Sequence, residues 1–181
     1  ALQLGLNPTA YNQSEITTLT NQLIDSANYY RKKIGPDHLP IFSKATLMKD
    51  AQIAYNQASK QFPFLTTTIQ SVKFSMFEPI ADYIGFSGYY NPFTGEAHLR
   101  NDLPGILNPY IICHEIGHQL GYASESEASF VGFLAAKSSS NLYLQYSMYL
   151  DLLNYSFNEQ YLLYAKENYV AFEQVVKNNR N

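Results

Sequence analysis

Residues 113–129 read CHEIGHQLGYASESEAS, and this stretch limits the fold more than any other in the chain. Asn108-Pro109 ahead of it has the form of a helix start, Asn as cap and Pro at the first position. Gly121 stands where a helix C′ residue belongs. A helix over about 109–120 is therefore predicted, and the run Ile111-Ile112-Cys113 marks it as buried. Yet it carries His114, Glu115 and His118, which are costly to bury without partners. A second helix begins near Ser124, continues to about Lys137, and brings Glu125 and Glu127. The link Leu120–Ser124 is short, and Gly121 permits a sharp reversal. The second helix can then fold back so that its first turn faces the histidines.

The spacing has a chemical meaning. Positions i and i+4 of a helix differ by about 40° around its axis, so His114 and His118 project from one face, one turn apart. Two imidazoles so placed can reach a single zinc ion at about 2.0–2.1 Å. Glu115 lies about 100° further round, able to reach a water on the ion but not to ligate easily, the base position of HExxH. A catalytic zinc wants a third protein ligand. Glu125 and Glu127 are about 200° apart, so only one can face the ion. Ser124-x-x-Glu127 has the form of a capping box, which gives Glu127 a structural task and favours Glu125 as the ligand. Ala128 is small enough to let the two helices pack closely. His38, in a Pro-rich loop, and His98 have no ligand-like local pattern, and Cys113 points away from His114 into the core.

The remaining sequence supplies a frame. A chain of 181 residues with 46% hydrophobic and 15% charged residues suits one domain, 1–181, with one core. Net charge is −3 and the Lys and Arg residues are scattered, so no basic face for nucleic acid or anionic lipid is expected. With one cysteine no internal disulfide can form. No apolar run reaches the roughly 18 residues of a membrane helix, and no signal peptide opens the chain. It begins at Ala1 rather than Met, as a processed or truncated piece would. Residues 1–13 read as irregular. Ser14 is the expected cap of a helix ending at Gly35-Pro36, and a second helix is expected over about Lys44–Gln61. Residues 69–77 alternate like a strand, and 85–99 read as a hairpin around NPFTG. The Tyr- and Leu-rich segment 142–178 is helical in pattern, with a division near NYSFNE (154–159). The fold class expected is α+β, mostly helical, with a small antiparallel sheet or hairpin next to the zinc helix.

HEIGH followed by ESEAS resembles the gluzincin plan, an HExxH helix followed by a glutamate in an E-x-x-A context on the next helix. Over roughly 85–150, GYYNPFTGEAHLRNDLP, ICHEIGHQLGYASESEASFVGFLAAKSSS and YSMYL resemble an uncharacterised bacterial family of membrane-anchored proteins read as zinc metallopeptidases. The resemblance implies a zincin-like domain, Zn2+ held by His114, His118 and Glu125, and Glu115 as general base. It implies Tyr146, in the YS motif, as oxyanion donor, and a peptide or protein substrate. In zincins substrate pairs with a strand beside the zinc helix, and the arm GEAHLR is the expected one. It also implies that this chain is the soluble part of a protein anchored by amino-terminal helices, with the zinc domain outside the bacterial cytoplasmic membrane. Two departures stand out: GEAH replaces the usual GEAN, and Ser129 replaces Asn or Asp. A non-catalytic zinc-containing module that binds a peptide or wall fragment at the cell surface is the alternative, and a zinc hydrolase of another amide is a third reading.

Overall fold

The computed structural model describes residues 4–6, 9–36, 40–68, 72–74, 88–91, 96–99 and 104–178. Five α-helices dominate them: α1 (Gln13–Ile34), α2 (Lys44–Ala58), α3 (Asn108–Gln119), α4 (Glu125–Ser138) and α5 (Leu142–Asn178). Three strands, β1 (Val72–Phe74), β2 (Gly88–Asn91) and β3 (Glu96–Leu99), and two short 3-10 helices, Pro63–Leu65 and Gly105–Leu107, complete the regular structure of the described residues. α1 packs along α5, α3 lies against α4, and α2 contacts both α3 and α4.

Local signals set most helix ends. Asn12, not Ser14, caps α1: its side chain accepts from the Glu15 amide at 3.0 Å, and Glu15 accepts from the Asn12 amide at 2.9 Å. That reciprocal pair satisfies two amides otherwise left without partners at a helix start. Ser43 caps α2 by accepting from the Thr46 amide at 3.1 Å. One face of α2 buries Leu47, Ala51, Ala54, Tyr55 and Ala58, as its spacing predicts. The Tyr55 hydroxyl donates to the Cys113 carbonyl at 2.6 Å and so ties α2 to α3 inside the core. The cap expected of Asn108 is not made; its Oδ1 is buried without a partner. Instead Ser147 of α5 serves the start of α3, accepting from the Tyr110 amide at 3.0 Å and donating to the Leu107 carbonyl at 2.9 Å.

The division expected in 142–178 does not occur: α5 runs unbroken for 37 residues. The segment contains neither Gly nor Pro, so nothing in it disfavours the helix strongly enough to end it.

The fold-class expectation is overturned. The described residues form a helical domain whose strands are only three or four residues long, and the sheet is mixed rather than antiparallel. Its order is β1-β3-β2, with β1 parallel to β3 and β2 antiparallel to it. β3 is therefore the central strand. Val72 to Phe74 pair with Ala97 to Leu99 on one side, and Gly88 to Asn91 pair with Leu99 to Glu96 on the other. The GEAHLR arm was expected to offer a free edge to substrate. Over 97–99 it has a paired strand on both sides, so no free edge remains along those residues.

Candidate metal centre

α3 and α4 approach unusually closely because small residues meet where they cross. A Cβ added at Gly117 would lie 2.9 Å from the Ala128 carbonyl oxygen, and one at Gly132 would lie 3.0 Å from the His114 nitrogen. Between the helices Gly121 takes φ +100°. Its amide donates to the His118 carbonyl at 2.9 Å and the Tyr122 amide to the Gly117 carbonyl at 3.2 Å, a Schellman closure. This reversal puts the first turn of α4 over the histidine face of α3.

His114, His118 and Glu125 then meet, each offering one ligand atom within 4.8 Å of the others. Glu125 Oε2 lies 3.1 Å from His114 Nε2 and Oε1 lies 3.4 Å from His118 Nε2. Each histidine is held from behind. His118 Nδ1 lies 2.7 Å from the Tyr122 carbonyl oxygen. A carbonyl only accepts, so Nδ1 carries a proton there, which leaves Nε2 as the atom that can ligate a cation. His114 Nδ1 lies 3.0 Å from Ser129 Oγ. Burial, then the neighbouring His118, holds the His114 imidazole below its usual pKa and so favours its neutral form. Two imidazole Nε2 atoms thus converge on a carboxylate, a donor set that fits a cation and suits zinc. The histidine side chains are 14% and 10% exposed and Glu125 is 77% exposed, so the cluster opens to solvent on the Glu125 side.

Glu115 is 2% exposed, and its Oε2 has no hydrogen-bond partner. Burial, and after it the charge of Glu125, pushes its carboxyl up to about 8. A buried carboxyl beside another carboxylate prefers to hold a proton. Glu127 takes a course that local sequence did not reveal. Ser124 makes no side-chain cap, and its hydroxyl pairs with Ser126 at 2.8 Å. The capping box is therefore absent. Glu127 is 1% exposed and accepts from the Leu4 amide, which fastens the chain start to α4.

Tyr146 is partly buried against the hydrophobic core. Another tyrosine of α5 approaches the cluster. Burial raises the Tyr155 pKa, and the charges of Asp151 and Glu125 act on it in the same direction. Ser147, Asp151 and Tyr155 recur every fourth residue, one polar stripe on a largely apolar helix. That spacing was the available signal for them. Burial pushes the Asp151 carboxyl up to about 6. Cys113 is fully buried, as expected, and burial pushes its thiol up, away from ligand or nucleophile chemistry. His38 lies outside the described residues. His98 holds the β3 position paired with Lys73 and Tyr89.

No helix among the described residues is long and apolar enough to cross a membrane. No curated protein and no solved structure matches the chain. A family model described as "Protein of unknown function (DUF3810)" matches residues 1–180, and the chain belongs to that family.

Proposed function

We propose that this domain is a zinc-dependent metallopeptidase. The observation that carries the reading is the donor set: two histidine Nε2 atoms and the Glu125 carboxylate within 4.8 Å, with a buried, unpartnered glutamate beside them. His114, His118 and Glu125 would hold the ion. Zinc, when bound, supplies a Lewis acid that polarises a carbonyl and lowers the pKa of water. Glu115 takes one proton from water as the water oxygen adds to the scissile carbonyl carbon. It gives that proton to the amine nitrogen as the C–N bond breaks. Its position beside the donor set supports this role: burial raises its carboxyl to about 8 in the metal-free site, and the charge of a bound cation would lower it again toward the carboxylate that accepts a proton. On the reading that the sequence resemblance suggests, the domain would be the soluble part of an anchored protein on the outer face of the bacterial cytoplasmic membrane, acting on a peptide or protein.

Metal analysis with cleavage of a peptide library tests the proposal on wild type and Glu115→Gln. Both should carry one zinc per chain, and the variant should cleave about 10²–10⁴-fold more slowly, the usual contribution of a general base. Zinc without Glu115-dependent cleavage would turn the reading to a non-catalytic module that binds a peptide or wall fragment.

A further inference from the structure

The first turn of α4 carries a metal ligand but has no side-chain cap. Ser124 makes none, and the turn closes on the Ala128 amide, which donates to the Ser124 carbonyl at 2.9 Å. Glu125 opens this turn with its side chain 77% exposed, so burial does little to hold it over His114 and His118. The inward side of the turn is what is fastened. Ala128 is fully buried where it crosses Gly117. Glu127 is 1% exposed, and its Oε1 accepts from the Leu4 amide, 123 positions away in sequence. The Leu4 side chain packs against the hydrophobic core.

We infer that Leu4 is a positioning residue for the metal centre: by holding Glu127 inward, its amide sets the rotation of the turn that aims Glu125 at the histidines. The inference rests on the zinc-binding part of the metallopeptidase reading. Glu125 and Glu127 stand about 200° apart around the helix axis, so a wound turn cannot release one without swinging the other. A buried carboxyl oxygen that loses its donor is costly, and it relieves the cost by turning toward water. That movement unwinds the turn from Ser124 onward and carries Glu125 off His114 and His118. Zinc acts the other way: by drawing Glu125 onto the histidines it keeps Glu127 in place for Leu4. The chain start and the ion thus favour each other, and such a coupling is reciprocal.

Leu4→Pro removes the amide hydrogen and keeps an apolar side chain. Calorimetry on the full chain should show zinc bound about 10-fold more weakly than by wild type, within the ordinary range of coupling between sites. Leu4→Ala keeps the amide and should bind zinc close to wild type. Glu127→Ala removes the carboxyl that needs the donor, so adding it to Leu4→Pro should restore the affinity, a rescue that a general loss of packing would not show. In wild type, zinc should slow hydrogen exchange of the Leu4 amide relative to the EDTA-treated chain by a similar factor. The Asn12 amide, which bonds Glu15 within its own turn, should be unaffected. Zinc affinity unchanged by Leu4→Pro overturns the inference. So does a loss that Glu127→Ala does not rescue, or a Leu4 exchange rate indifferent to zinc. If Leu4→Pro does not fold, the exchange measurement decides alone. A chain that takes up no zinc overturns the metal reading itself, and the inference with it.

Discussion

Two glutamates two positions apart on one helix meet different fates, which shows what a single side chain can and cannot reveal. Glu125 reaches both histidines, while Glu127 turns inward and holds Leu4. Glu125→Ala should lose zinc. Glu127→Ala should keep it and lose about 2 kcal/mol of stability, because the Leu4 amide then lacks its charged partner. Zinc titration and urea unfolding of both variants check this, and the opposite pattern would exchange their roles. Asp151 gives a pH test. Burial raises its carboxyl to about 6 from an ordinary value of 3.8, so folding favours the protonated acid. Its contribution is fully present below about pH 4 and is lost as pH rises through about 6. Metal-free Asp151→Asn should therefore be more stable than wild type at pH 7.5, by about 3 kcal/mol at most, with the gap closing near pH 4. Urea unfolding at the two pH values checks the sign.

At the scale of elements, the α3–α4 pair is the device that builds the site. Its closeness depends on Gly117, Gly132 and Ala128 at the crossing. Gly132→Ala places a methyl against the backbone at His114, so the helices must move apart. Destabilisation of about 1–3 kcal/mol is expected, with weaker zinc binding as His114 shifts from Glu125. Thermal unfolding of the metal-free variant and zinc titration would separate the two effects. Much of this pair was legible from residues 108–138, because HExxH spacing, a C′ glycine and small residues act locally. The sheet was not legible. Its strands are three or four residues long, too short for periodicity to fix a partner or a direction. β1 pairs in parallel with a strand more than 20 positions away, while β2 and β3 are near neighbours in sequence.

At the scale of the whole molecule, an ion at the cluster would tie α3 to α4, and binding to the folded state alone stabilises it. With free zinc about 1,000-fold above its Kd, the gain is about 4 kcal/mol. For a chain of this size that raises Tm by about 8–16 °C over the chelated form. Calorimetry with zinc and with EDTA measures it, and an unchanged Tm would argue against a metal in the folded state.

The sequence alone determined the donors and the helices that carry them. Spacing of i to i+4, the Gly121 stop and the two glutamates after it are local facts with local consequences. Tertiary structure decided the assignments that need a partner from elsewhere in the chain. Ser147 caps α3 in place of Asn108, and Leu4 claims Glu127 in place of a capping box. β3 is paired on both sides over 97–99. A buried polar group takes whichever partner packing presents, and local sequence does not show what lies across the interface.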